Sequence, residues 1–311
     1  MGYQKLFPEI VKKTYSNCNN ISTKNIPYTS IKLGLLSKGK TISLPFLDIV
    51  NIFKINEEDI PKSQNLEIRL SEFNKDFSKL KKKILSFGFS ENPMKAHIIS
   101  ELTNEEDFWK RFHKHTRNDI RKAKKCGLKL KRIENIKDLR KFYSLYTKEM
   151  KNFGTPQHSF NFFRNCFEIL KRDFFGLNCY KDKKLISSII LFVEEDYGYV
   201  SFNVSNPNFR NLRPNDIIYW EMIKWSIKNK IKYLDVGQVD LNPEKDSREE
   251  GLLKFKRKWL GKEYKKIYFT RGFSYDSSRR NSLKKFKKVW RYLPSLIIKL
   301  IGPWVTSHFV Y

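Results

Sequence analysis

One stretch constrains this chain more than any other. Residues 231–261 read IKYLDVGQVDLNPEKDSREEGLLKFKRKWLG. The apolar run at 231–236 predicts a buried strand with Asp235 and Gly237 at its C-terminal edge. A polar loop follows, and Ser247-Arg-Glu-Glu250 spells a capping box that should start a helix. That helix carries Leu252, Leu253, Phe255, Trp259 and Leu260 and is expected to stop at Gly261. The residues three and four positions from Lys256 are Leu252, Leu253, Trp259 and Leu260, all apolar. Lys254 and Lys258 have charged or glycine neighbours at most of the same offsets. Lys256 is therefore the cation expected to project from the apolar face. Such a lysine either packs its stem and carries its head to water, or holds its charge in a low-dielectric site that stabilises developing negative charge.

At 311 residues the chain is long enough for two domains, and 40% apolar residues with 25 Phe exclude a disordered chain. Its net charge of +29 attracts it to RNA, anionic lipid or a phosphorylated substrate, although a general bias toward Lys, Asn and Ile contributes part of that charge. The four cysteines, Cys18, Cys126, Cys166 and Cys179, show no metal-ligand spacing, so no structural zinc and a reduced compartment are expected. No apolar signal core opens the sequence, Leu6 stands where myristoylation needs Ser or Thr, and no run is apolar enough to span a bilayer. The expectation is a cytoplasmic protein, peripheral at most on the inner face of the membrane, and a monomer.

In chain order, residues 1–27 read as an irregular lead-in. Strands are expected at 31–36, 41–45 and 66–70, the first pair joined by the turn Ser37-Lys-Gly-Lys40, then a helix at 73–87 and a strand at 96–100. Asn104 caps a helix with Glu105, Glu106 and Asp107 in its first turn, and Gly127 ends it. Phe108, Phe112, Ile120 and Ala123 form its buried stripe. Another face carries Lys110, Lys114, Arg117, Arg121 and Lys124, either a solvated surface or a phosphate-binding one. A strand at 128–133 leads to helices at 136–152 and 160–173, linked by the breaker Gly154-Thr-Pro156. Three strands follow at 176–181, 185–194 and 197–204, then a loop at 205–214, with Pro214 suited to the start of a helix at 215–230. This order, closed by the strand at 231–236, is that of the GNAT acyltransferase fold.

Arg117-Asn-Asp-Ile-Arg-Lys-Ala123 with Gly127, the Gly154-Thr-Pro156 loop, Tyr233-Leu-Asp-Val-Gly237 and Gly251-Leu-Leu-Lys-Phe-Lys256-Arg-Lys-Trp259 resemble the FemABX-like family. The resemblance covers about residues 30–272 and is strongest after residue 104. It implies tandem GNAT-like (acyl-CoA N-acyltransferase) α/β domains, here 1–127 and 128–273, followed by a basic amphipathic tail at 274–311. It also implies an acyl or aminoacyl transferase that forms an amide on a cell-envelope precursor, peptidoglycan-like or exopolysaccharide. The Phe255-Lys256 pair is its most specific element. In the family that lysine is implicated in stabilising the tetrahedral intermediate of aminolysis, which makes Lys256 the catalytic candidate.

In a GNAT-like domain the cleft lies where the strand at 199–204 splays from that at 233–236, so Asn203, Asp235 and Gly237 border it. Asp235 would hold the acceptor amine or fix Lys256, or else be a buried carboxylate bonded to nearby backbone. Arg117, Arg121, Lys122, Arg210, Arg213 and Phe255 complete the candidate substrate-binding set; no metal is expected, and His158 reads as structural. Coenzyme A users of this fold cradle pyrophosphate on a glycine-rich loop. The corresponding Arg210-Asn-Leu-Arg-Pro-Asn215 has Arg213 and Asn215 in place of the glycines, and Pro214 removes a donor. No bound cofactor is expected; the donor is aminoacyl-tRNA or an acyl-CoA as co-substrate. The long helical hairpin of many tRNA-dependent members is not visible in 128–176.

Beyond Arg271, Leu283, Phe286, Trp290 and Leu293 recur at helical spacing among lysines, and an apolar run broken by Pro294 and Pro303 follows. Residues 279–311 suit either an anionic membrane surface or docking on the second domain. Two other functions stay open: an acetyl-CoA-dependent N-acetyltransferase of a sugar or polysaccharide, and a non-catalytic RNA- or polyanion-binding module.

Overall fold

Strand β8 (Lys184–Glu194) shows how the core is built, because its side chains alternate between two apolar clusters. Ile190 and Phe192 enter one, while Ile189, Leu191 and Val193 enter the other. A sheet buried on both faces needs helices on both, and the sequence supplies them. The computed structural model describes residues 3–23, 26–31, 39–43, 54–273 and 279–308.

The elements run α1 (Tyr3–Thr14), β1 (Cys18–Ser22), β2 (Pro27–Ile31), β3 (Lys40–Ser43), β4 (Leu66–Ser71), α2 (Phe77–Ser86), β5 (Ser90–Glu101), α3 (Glu105–Arg111) and α4 (Lys114–Lys125). They continue with β6 (Leu128–Arg132), α5 (Ile136–Phe153), α6 (Phe160–Leu170), β7 (Phe174–Lys181), β8, β9 (Tyr197–Ser205), α7 (Pro214–Lys228) and β10 (Tyr233–Val239). The last are α8 (Arg248–Arg257), β11 (Lys262–Arg271), α9 (Arg279–Tyr292) and α10 (Ser295–His308). Among the described residues the strands join one 11-stranded sheet in the order β1-β2-β3-β4-β11-β5-β10-β9-β8-β7-β6. Residues from α1, α5 and α6 pack on one face, and residues from α3, α4, α7 and α8 on the other.

The tandem GNAT-like architecture holds, with β11 inserted between two strands of the first half. Lys266 pairs with Ser71 of β4 and with Lys95 of β5, while β5 also pairs with β10. The sequence reading had no strand at 262–271. The lead-in also differs from expectation. Pro8 reads as a breaker, yet α1 forms around it and buries Tyr3, Phe7, Ile10 and Val11 on one stripe. The first strand pair is shifted too: β2 ends at Ile31, and residues 32–38 of the expected strand and turn, with 44–45 of the next, lie outside the described residues.

The helix expected from Asn104 to Gly127 is two helices. Asn104 caps the first, its Oδ1 accepting from the Asp107 amide at 2.9 Å. Phe112 then turns extended, and Arg117 donates to the carbonyls of Lys110 at 2.9 Å and Phe112 at 2.6 Å, which satisfies the broken end. The expected apolar stripe survives the break, with Phe108, Phe112, Ile120 and Ala123 all buried.

Candidate active site

The β9–β10 ladder is parallel and short. Tyr233 pairs with Tyr197, Leu234 with Gly198 and Asp235 with Tyr199, and the strands part beyond that point. The divergence coincides with an irregularity in β10, where its register on β5 shifts between Asp235 and Gln238. Gly237 sits in this bulge with φ +91°, a conformation an L side chain rarely adopts.

Helix α8 returns over the bulge. Ser247 caps it, its Oγ accepting from the Glu250 amide at 3.1 Å. Glu250 in turn accepts from the Asp246 amide at 3.0 Å, one residue short of the reciprocal capping-box bond. Leu253 and Lys256 are the buried residues of the helix, Lys254 and Arg257 are exposed, and Leu252 is 39% exposed rather than part of the buried stripe. The Lys256 Nζ donates to the Gln238 carbonyl at 3.0 Å, and a Cβ placed on Gly237 would lie 2.8 Å from that nitrogen. Gly237 is therefore what lets a buried ammonium reach the mouth of the splay. Phe255 faces the other way, its ring edge-on to Tyr219 of α7 at 5.1 Å, so it seats α8 on α7. The helix ends before Gly261. Leu260 takes the left-handed conformation at φ 64°, and Gly261 is required for a different reason: a Cβ there would lie 2.3 Å from Ile98.

Asp235 is fully buried and heavily bonded. Its Oδ1 accepts from the Gly237 amide at 2.7 Å, and its Oδ2 meets His97 Nδ1 at 2.6 Å and the Tyr197 hydroxyl at 2.8 Å. Burial and the neighbouring carboxylate push the Tyr197 hydroxyl pKa well up, so it remains a donor. His97 Nε2 in turn faces Ser71 Oγ at 2.5 Å. This chain of bonds ties β4, β5, β9 and β10 together beneath the bulge. Asp235 thus holds the Gly237 amide, the buried carboxylate bonded to nearby backbone that was one of the readings offered by the sequence. On the far side of Gln238, the buried Lys266 of β11 donates to the Gln238 Oε1. Two lysine ammoniums therefore converge on one residue of the bulge.

Ser71, His97, Tyr197, Gln238 and Lys266 were not singled out in the sequence. Their partners are 26 to 138 residues away, and only the sheet order brings them together.

The other expected site residues spread over the surface or serve the fold. Asn203 donates to the Ser188 carbonyl at 3.2 Å and toward Asn215 at 3.5 Å, bracing β8, β9 and α7. Arg117 is committed to the break between α3 and α4. Arg121 and Lys122 are exposed on α4, and the Arg121 guanidinium lies 5.7 Å from the Trp109 ring. His158 is buried, with Nδ1 2.5 Å from the Tyr15 hydroxyl and its ring stacked 4.2 Å from Phe162. Burial lowers its pKa to about 3, in keeping with a neutral core histidine.

The loop before α7 departs from a phosphate cradle in a way the sequence suggested only in part. Arg213 adopts φ 58°, where glycine would be expected, and its amide is spent on the Arg210 carbonyl at 3.0 Å. Pro214 has no amide hydrogen. Within the first turn of α7 the carboxylate of Asp216 is buried and bonded by Lys258, with Arg213 3.1 Å from Asp119 alongside. The positive end of this helix already holds a fixed anion. Arg210 is exposed.

Among the described residues, no group of three or more His, Cys, Asp or Glu could hold a metal ion, and no helix is long and apolar enough to cross a membrane.

Comparison with known proteins agrees with the fold. Residues 110–257 match the acetyltransferase (GNAT) domain family model. The structure known as FemX superposes with a TM-score of 0.65 at 12% identity, covering 91% of this chain and 98% of that one. The lipid II:glycine glycyltransferase of Staphylococcus haemolyticus is 34% identical over 74 residues, 24% of this chain and 18% of that protein. The chain resembles FemABX proteins in its fold and over this short stretch of sequence. The Staphylococcus aureus enzyme of the same name is 30% identical over 93 residues, 30% of this chain and 22% of the relative. These matches span only about a fifth of the relatives' own length. The C-terminal domain of a putative lysylphosphatidylglycerol synthetase from Agrobacterium fabrum shares the fold as well, with a TM-score of 0.60, 12% identity, and coverage of 91% and 95%.

Proposed function

We propose that this protein is an aminoacyl or acyl transferase that forms an amide on an amine of a cell-envelope precursor, working on the cytoplasmic side of the membrane. The observation that carries this reading is the buried Lys256 ammonium, held beside Gly237 at the point where β9 and β10 part. An acceptor amine entering the splay attacks the donor's carbonyl carbon, and the carbonyl oxygen becomes an oxyanion. Lys256 faces that charge from a low-dielectric site, where a fixed cation stabilises it most. Collapse of the intermediate breaks the acyl ester; the leaving oxygen takes the proton given up by the amine, leaving an amide and a free hydroxyl. The lipid II:glycine glycyltransferases that share sequence with this chain support a cell-envelope acceptor.

For the donor, an aminoacyl-tRNA fits better than an acyl-CoA. Asp216, Pro214 and the committed Arg213 amide leave little at the start of α7 to wrap a pyrophosphate. Elsewhere the surface favours a large polyanion. A groove of about 350 Å³ beside α5 is lined by Lys141, Lys148, Lys183 and Lys184 with Tyr180.

The test is transfer of labelled amino acid from charged tRNA to an amine-bearing muropeptide precursor, run beside a panel of acyl-CoA donors. Lys256→Met should retain its thermal transition and lose roughly 10²–10³ in kcat. Wild-type turnover in that variant would remove Lys256 from the mechanism. Saturable use of acetyl-CoA in the micromolar range would reassign the protein as an ordinary N-acetyltransferase.

A further inference from the structure

Among the described residues, α10 and the end of α9 show two faces, one packed on the rest of the protein and one exposed. Trp290, Ile298 and Val305 are buried in a small cluster with Phe286 and Leu293 packed against it. Gln157 fastens α10 by donating to the Ile298 carbonyl at 2.7 Å and accepting from the Thr306 hydroxyl at 2.9 Å on its own carbonyl. Asn17 donates to the Ser307 carbonyl at 3.1 Å. Gly302 marks the closest approach, since a Cβ there would lie 2.4 Å from Gln157 Oε1. The inner face is docked, and its orientation is fixed.

The outer face is apolar and exposed. Leu296 is 76% exposed, Leu300 79%, Trp304 61% and Tyr292 81%, with Ile297 and Ile301 beside them. At about 100° per residue, the five apolar side chains of α10 fall within an arc of roughly 140° opposite Ile298 and Val305. Lys287, Lys288, Arg291 and Lys299 are exposed around this face, and residues 277–311 contain no Asp or Glu. A contiguous patch of this kind on a soluble surface marks an interaction site. Its flanks carry one sign of charge, which complements a uniformly negative surface. Aromatic residues at its rim match the position Trp and Tyr take at a lipid–water boundary.

We propose that α9 and α10 form a fixed amphipathic platform that seats the protein on an anionic lipid bilayer, with Leu296, Leu300 and Trp304 inserted and the surrounding lysines and arginines on the headgroups. The platform also determines which side of the protein meets the lipid. Arg291 lies within electrostatic reach of Arg248 at the start of α8, and Arg248 within reach of Arg210. This cationic edge would face the headgroups, on the helix that carries Lys256. The seating itself does not depend on the proposed transfer reaction; only its use in presenting a lipid-borne acceptor does.

The test is flotation of the full chain with vesicles of phosphatidylglycerol and phosphatidylcholine in equal parts, beside pure phosphatidylcholine, across a salt series. The wild type should float with the anionic vesicles, less so as salt rises. Leu296→Ser/Leu300→Ser/Trp304→Ser should lose roughly tenfold or more in partitioning with an unchanged thermal transition. Should that variant misfold, Lys288→Glu/Lys299→Glu probes the same contact without touching the apolar face and should also release the protein. Absence of wild-type binding to anionic vesicles, or equal binding by both variants, overturns the proposal. So does a wild type that self-associates in sedimentation and a triple variant that is monomeric, with neither binding lipid, which would assign the face to a second copy of the chain.

Discussion

Lys256 and Lys258 leave the same end of α8 two residues apart, yet one reaches β10 and the other α7. Lys258 bonds the buried carboxylate of Asp216 and lies 4.0 Å from Asp119, so its charge meets fixed negative charge. Burial raises the Asp216 pKa, and Lys258 opposes that rise as the strongest neighbouring cation. Lys256 donates instead to a main-chain carbonyl, above a glycine, at a gap between strands. A lysine matched by carboxylates has little electrostatic effect left for a substrate. The two ammoniums stand two residues apart in sequence and meet different elements of the fold, β10 and α7.

The sharpest way to break this contrast is Lys258→Met. It strands Asp216 in the first turn of α7 and should lower stability by about 2–3 kcal/mol in a denaturant titration. Turnover per folded molecule should change little, and adding Asp216→Asn should recover much of the loss. A Lys258→Met protein that is stable but inactive would show that the roles of the two lysines have been assigned the wrong way round.

Gly237→Ala sharpens the comparison without removing any charge. The new Cβ would displace the Lys256 ammonium and occupy a backbone conformation at φ +91°. Strain of about 1–2 kcal/mol is expected, with kcat reduced by roughly tenfold or more as the ammonium shifts. Full activity in a folded Gly237→Ala protein would show that the position of Lys256 is not tuned by the bulge.

The smallest effect separates the site from the buried histidine that resembles one. His158 has its pKa lowered to about 3 by burial, against an ordinary value of 6.5. The unfolded chain therefore binds an extra proton between those values, and stability falls as pH drops below 6.5. At pH 5.5 the loss is about 1 kcal/mol, and His158→Gln should flatten that part of the stability profile. Transfer activity of the folded protein should not follow the same curve. An identical pH slope in the variant would assign the effect to other groups.

What the sequence made legible is what depends on near neighbours. Lys256 was recognisable because residues three and four positions away decide which face of α8 it occupies. Asp235 and Gly237 were recognisable because a strand edge ending in Asp and Gly is a local pattern. Caps at Asn104 and Ser247 were readable for the same reason. The contacts that refine the site were not readable. Ser71, His97 and Asp235 meet only because β4, β11, β5 and β10 lie side by side, and no periodicity announces that order. Asp216, in the first turn of α7, gives no local sign that Lys258 reaches it from 42 residues away. The lead-in was read as irregular, and α1, with Tyr3, Phe7, Ile10 and Val11 on one stripe, carries in its interior Pro8, a residue that usually ends helices.

The position of β11 bears on how the chain reaches this state during synthesis. Strands β4 and β5 emerge from the ribosome early, but the strand that lies between them comprises residues 262–271. Until those residues are released, both strands carry open edges with no neighbour on that side, the situation most prone to pairing with another chain. Closing the sheet is a long-range event, which sets a slow rate for folding of the whole molecule. A nascent or prematurely ended chain that stops short of Lys262 has every earlier strand and still cannot complete its centre.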